Sequence, residues 1–155
     1  MSGTVPTIYF QLLDSRNSII DVRDLASAQT AAIYNGYVAA LNSAGDFHLA
    51  DGTENPFGLF YEHLALEEYP TGTNLTTYRT AEPCAVVTGR FRALCAAALF
   101  GEGTIPAAGA ILYDGEAGLV AASGTSIVGR CIGTASVGGD ATVAECLFDF
   151  PSLLA

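Results

Sequence analysis

Apolar residues fall in short runs that turn-forming residues interrupt. The stretch Thr7-Ile8-Tyr9-Phe10-Gln11-Leu12-Leu13 is rich in β-branched and aromatic types, and the polar Asp14-Ser15-Arg16-Asn17 separates it from Ile19-Ile20-Asp21-Val22. This reads as a hairpin or an extended arm. Alternation puts Ile8, Phe10 and Leu12 on one face and Tyr9 and Leu13 on the other, so both faces need cover, whether from a partner or from the body itself. Asp24 is an acidic cap candidate ahead of Leu25 to Gln29, but Tyr34-Asn35-Gly36 soon ends that pattern. At most one short helix is expected there.

From Gly36 onward, turn signals recur at short intervals: Asn35-Gly36, Ala44-Gly45-Asp46, Asp51-Gly52, Asn55-Pro56 and Pro70-Thr71-Gly72. Such spacing suits short strands joined by tight turns. Residues 101 to 139 hold ten of the 17 glycines and only four charged residues, around runs such as Ala110-Ile111-Leu112-Tyr113 and Ser126-Ile127-Val128. The expected fold is mainly β, a small β-barrel or β-tulip-like domain with an N-terminal extended arm. Residues 1–32 form the arm or hairpin and the short helix, and residues 33–155 form the barrel body with an aromatic tail, Leu147-Phe148-Asp149-Phe150-Pro151. Arg92 to Phe100 is ambiguous, because alanine favours helix while its length and flanking glycines permit a buried strand. It is assigned as strand.

Composition narrows the function. A 155-residue chain fits one domain, and with half of its residues apolar it can fill a core. Sixteen acids oppose six basic residues, all arginine, for a net charge of −10. Such a surface is ill suited to neutralising phosphates, so nucleic acid is not an expected partner. No run is long enough for a membrane-spanning helix, and no export signal is visible at the N-terminus, so a cytoplasmic origin is expected.

Candidate chemistry is sparse. Cys84, Cys95, Cys131 and Cys146 have neither metal-knuckle nor redox-dithiol spacing, and they read as buried reduced thiols. His48 and His63 are the only histidines, and no GxSxG nucleophile elbow accompanies them. His48 reads as a solvent-facing strand residue, and His63 lacks a metal-ligand spacing. Asp46, Asp51 and Glu54 are close enough in sequence to raise a glycosidase pair, but acids are also what solvated turns contain. No enzyme, metal or cofactor is expected. What remains is apolar surface suited to an assembly: Ile8, Tyr9, Phe10, Leu12 and Leu13 near the N-terminus, and Phe148 and Phe150 in the tail, unless all of it is core.

Three segments carry a resemblance. Glu82-Pro83-Cys84-Ala85-Val86-Val87-Thr88-Gly89-Arg90-Phe91 is followed by Ile105 to Val120, which contains Gly109-Ala110-Ile111-Leu112-Tyr113-Asp114-Gly115. Val128-Gly129-Arg130-Cys131-Ile132-Gly133-Thr134-Ala135 and a final strand from Ala141 to Phe148 come next. In this order, residues 82 to 148 resemble tailed-bacteriophage head decoration, or capsid cement, proteins. The resemblance implies a small β-barrel or tulip-like domain, commonly a homotrimer, on the outer surface of an icosahedral virion. It would bridge neighbouring major capsid subunits after synthesis in the host cytoplasm. On that reading Ile8, Tyr9, Phe10, Leu12 and Leu13 form a capsid-binding arm. Arg16 and Arg23 are its candidate ion-pair donors, and Phe148 and Phe150 are oligomer contacts. The alternative is a non-catalytic carbohydrate-binding module stacking sugars on Tyr34, Tyr37 and Tyr61, which the absence of tryptophan weakens.

Overall fold

The structure, a computed structural model, describes residues 10–26, 33–61, 83–137 and 141–150. It is mainly β and barrel-like, a single sheet that curls. The strands are β1 (Phe10–Asp24), β2 (Val38–Leu41), β3 (Phe47–Leu49), β4 (Pro56–Phe60), β5 (Pro83–Cys95), β6 (Ile111–Asp114), β7 (Val120–Ala121), β8 (Ile127–Val137) and β9 (Ala141–Phe150). Their spatial order is β3-β2-β4-β5-β9-β8-β6-β7, and β1 also pairs with β5. Among the described residues no helix is long and apolar enough to cross a membrane.

β5 organises everything else. Its run Cys84-Ala85-Val86-Val87-Thr88 is buried on both faces, and further on Phe91 and Ala93 face inward while Arg90 and Arg92 face out. β1 runs antiparallel along one edge, from Phe10 opposite Cys95 to Asp24 opposite Pro83. The other edge is shared: β4 pairs at Val86 and Val87, and β9 takes over from Gly89 to Cys95. Thr88 marks the handover, its hydroxyl donating to the Phe57 carbonyl at 2.6 Å.

The sheet bends back at both ends. Past β1, Leu25 bridges Phe47 of β3 in parallel, and the Ala26 amide donates to the Phe47 carbonyl at 2.8 Å. Past β5, a 3-10 turn at Ala97–Leu99 leads to Phe100, which bridges Val120 of β7, and the Gly101 amide donates to the Val120 carbonyl at 2.7 Å. Each outer strand of the sheet is thus met at one point by the chain that follows β1 or β5, which covers part of its edge.

Strand alternation gives β5 two cores. Cys84 and Val86 point into one, with Leu25, Ile33, Ala39, Phe47 and Phe60. Val87, Phe91, Ala93 and Cys95 point into the larger one, with Phe10, Leu59, Leu112, Val128, Phe148 and Phe150 among its members. The Phe91 ring lies 5.4 Å from Phe148 and 6.1 Å from Phe150, and the latter two are 5.9 Å apart. All four cysteines are free and buried.

Several sequence expectations are corrected. The polar Asp14 to Asn17 break makes no hairpin. β1 is one continuous strand, and register shifts between Leu12 and Asp14 and between Asp14 and Asn17 absorb the interruption as bulges. Because β1 is hydrogen-bonded along β5, the boundary drawn at residue 32 does not separate an arm from a body. No helix starts at Asp24, since Leu25 and Ala26 continue toward β3. Residues 27–32 lie outside the described residues. Arg92 to Phe100 is strand only as far as Cys95. Phe148 and Phe150 are buried members of the larger core and offer no oligomer contact: on β9 they face inward, while Asp149 between them faces out.

Candidate functional site: an open strand edge and an acidic corner

Following the register with β5, one face of β1 carries Asp14, Asn17, Ile19, Asp21 and Arg23. The other carries Phe10, Leu12, Ser18, Ile20 and Val22. At its start the strand belongs to the core. Phe10 is fully buried, edge-on to Tyr61 with centroids 6.0 Å apart, and Leu12 packs against the same cluster. Beyond Leu12 its side chains leave the core, although pairing with β5 continues to Asp24. Leu13 is 41% exposed, Ile19 67%, Ile20 49% and Val22 45%, so four of the seven exposed large apolar residues among the described ones lie on this strand. Ile20 and Val22 lie on one face there and Ile19 lies on the other among polar residues, and no second strand pairs with its outer edge among the described residues.

The charges around this edge are already matched. Arg16 and Asp14 are 3.1 Å apart, as are Arg23 and Asp21. Across the outer face, Arg92 pairs with Glu145 at 2.8 Å and Arg90 with Asp149 at 3.7 Å. Hydrogen bonding to Arg16 holds the Asp14 carboxyl below its ordinary value. Exposed pairs of this kind contribute little to stability. Their consequence is a self-neutralised polar strip beside an apolar edge.

Of the residues expected to form the arm, Ile8 and Tyr9 lie outside the described residues. Phe10 is spent in the core and cannot reach a partner, because its ring fills the space between Gly36 and Tyr61. Leu12 is half-buried, and Leu13, Arg16 and Arg23 are exposed. Sequence reasoning placed the sticky segment at 7 to 13 and left Ile19, Ile20 and Val22 out of it. Their β-branched run was visible as a strand, but its exposure follows from bulges that only pairing with β5 reveals. The sugar-stacking aromatics do not form a platform either: Tyr34 and Tyr37 pack edge-on at 5.5 Å, and Tyr61 packs on the core.

A second cluster sits where the β3–β4 connection meets the end of β6. Asp51 Oδ1 accepts from the Thr53 amide at 2.9 Å and its hydroxyl at 2.7 Å, which holds the Asp51 carboxyl below its ordinary value. Glu54 pairs through Oε2 with His48 Nε2 at 2.8 Å, and the other ring nitrogen, Nδ1, lies 2.9 Å from the Leu49 carbonyl. His48 is therefore a tethered, half-buried residue and not a free solvent-facing one. Asp114 completes the cluster. Burial first, and then the charges of Asp51 and Glu54, push its carboxyl up to about 7, offset slightly by the Gly52 amide. The sequence reading passed over Asp114, because Tyr113-Asp114-Gly115 reads as a turn signal and nothing local marks its burial.

Among the described residues no three His, Cys, Asp or Glu side chains are placed to hold a metal ion. Burial pushes the Cys131 thiol up, hydrogen bonding with Cys95 and then burial push the Cys146 thiol up, and buried, protonated thiols are poor nucleophiles. His63 lies outside the described residues. No protein-family model matches the chain, and no curated protein matches it.

Proposed function

We propose that this protein is a structural virion component that decorates the outside of an icosahedral phage capsid. It cements neighbouring major capsid subunits, as a homotrimer, and engages the shell through β1. The observation that carries this reading is the β1 edge, where Leu13, Ile19, Ile20 and Val22 stand exposed on a strand with no second partner strand among the described residues. Such an edge accepts an added strand from another protein. Main-chain hydrogen bonds then supply affinity, and the alternating side chains enter pockets on both faces. The resemblance of residues 82 to 148 to head decoration proteins supplies the kind of partner. A clamp of this sort needs interface area and no active site. An acidic exterior keeps assembled particles apart.

Co-sedimentation with empty capsid shells tests this, with an insoluble polysaccharide as the control. The protein should pellet with shells and stay in the supernatant with polysaccharide, and an Ile19→Asp, Ile20→Asp double variant should stay folded and lose shell binding. Failure of the unmodified protein to pellet with shells, or full binding by the folded double variant, would defeat the proposal.

A further inference from the structure

Asp114 is 1% exposed, and no full hydrogen bond reaches either of its carboxylate oxygens, although the nearby Gly52 amide slightly favours the charged form. An ionised carboxyl in that position is costly, because little replaces the water it has lost. Among the described residues its surroundings offer no charge compensation. From the β3–β4 connection it is faced by Asp51 and Glu54, and the Oε1 atom of Glu54 is itself buried without a partner. His48, which precedes that connection on β3, is committed to the other oxygen of Glu54. From β7 and the start of β8, residues 120 to 129 bring no charged side chain, and Glu116 on Asp114's own corner is exposed.

The place matters as much as the group. The corner after β6 docks on the β3–β4 connection by backbone contacts. The Gly118 amide donates to the Ala50 carbonyl at 2.8 Å, and Gly52 lies so close to Gly115 that a Cβ on Gly52 would stand 3.3 Å from the Gly115 carbonyl. These contacts join the strands on the β4 side of β5 to those on the β9 side. Asp114 sits in that seam.

We propose that Asp114 is a proton-held latch: its neutral carboxyl keeps a third negative charge out of the pocket shared with Asp51 and Glu54, and ionisation, which releases the proton to solvent, loosens the corner from the β3–β4 connection. The ligand is a proton and not a metal ion, since no three such side chains among the described residues are placed to hold one. The latch is independent of any shell partner.

The sign follows from linkage. A carboxyl whose folded pKa is raised above its unfolded value contributes stability that is fully present below the unfolded pKa and is lost as pH rises through the folded one. That window runs from 3.8 to about 7. The test is chemical denaturation of the full chain and of Asp114→Asn at about pH 5 and about pH 8, with the side-chain carboxyl of Asp114 followed by carbon NMR in the unmodified protein. The unmodified protein's folding equilibrium constant should fall at least about tenfold between those two conditions, and Asp114→Asn should abolish that part of the fall. Hydrogen-exchange protection of the Gly118 amide should drop over the same range.

An Asp114 carboxyl that titrates in the ordinary carboxylate range would overturn the proposal, as would an unchanged pH dependence in Asp114→Asn. Restoration of the unmodified protein, but not the variant, by millimolar Ca2+ at the higher pH would also overturn it, by making the pocket a cation site. Should the variant fail to fold, the carboxyl titration in the unmodified protein decides alone.

Discussion

Gly89 on β5 sits directly opposite Ser18 on β1, and a Cβ on Gly89 would lie 2.6 Å from the carbonyl oxygen of the preceding Asn17. Its φ of +90° is itself one that side chains rarely adopt. Two constraints therefore coincide where β5 passes from β4 to β9. Gly89→Ala should cost about 2 to 4 kcal/mol, from backbone strain plus the displaced β1 carbonyl. Urea denaturation measures it, and a loss under about 0.5 kcal/mol, the range of an ordinary surface substitution, would show that β1 yields easily there.

The stacked phenylalanines give a second expectation. Phe148 is fully buried and packs against both Phe91 and Phe150. Phe148→Ala should therefore destabilise the isolated chain by about 3 to 5 kcal/mol. A residue acting at a subunit contact would instead change the oligomeric state at little cost to the monomer. Denaturation midpoints together with light scattering separate the two, and an unchanged monomer midpoint would return Phe148 to the surface.

How much of this was legible beforehand depends on the range of the interactions. Turn chemistry is local, so Asn35-Gly36, Gly45 and Asp51-Gly52 announced turns that the structure places there, each with a glycine at positive φ. Glycine density and β-branched runs likewise announced a mainly β, barrel-like fold. The role of Asp14 to Asn17 was not legible, because a polar interruption looks the same whether it turns the chain or bulges within a strand. Only the β5 register distinguishes them. Phe148 and Phe150 looked like an aromatic tail because they stand near the end of the chain, and their stacking partner Phe91 lies more than 50 residues earlier. Asp114 was hidden for the same reason: its burial depends on the connection at residues 50 to 54.

The thiols should be inert in the folded chain and free in the unfolded one. Cys131 faces Cys146 across β8 and β9, and all four cysteines are buried and unbridged. Burial raises the Cys131 thiol, and hydrogen bonding with Cys95 followed by burial raises the Cys146 thiol, which lowers the thiolate fraction that alkylating reagents attack. Maleimide under native conditions should label none of the four within the time that labels all four in denaturant without reductant. Rapid labelling of the native protein, or fewer than four thiols after unfolding, would contradict the packing.

The pH profile of stability should peak on the acid side of neutrality, because two kinds of carboxyl pull in opposite directions. Asp14 and Asp51 are held below 3.8 by hydrogen bonds to Arg16 and Thr53. Their contribution is present above 3.8 and is lost as pH falls through their lowered values. Asp51 is exposed and Asp14 only half-buried, so this limb should be shallow. Asp114 is raised to about 7, and its contribution is lost as pH rises from 3.8 through that value. The net charge of −10 at neutral pH adds self-repulsion that fades toward the pI near 4.3, and so reinforces the second limb. Denaturation midpoints should therefore be higher at about pH 5 than at about pH 8 and fall again below about pH 3. A midpoint that rises steadily from acid to about pH 8 would mean that Asp114 is ionised in the folded protein and finds compensation there.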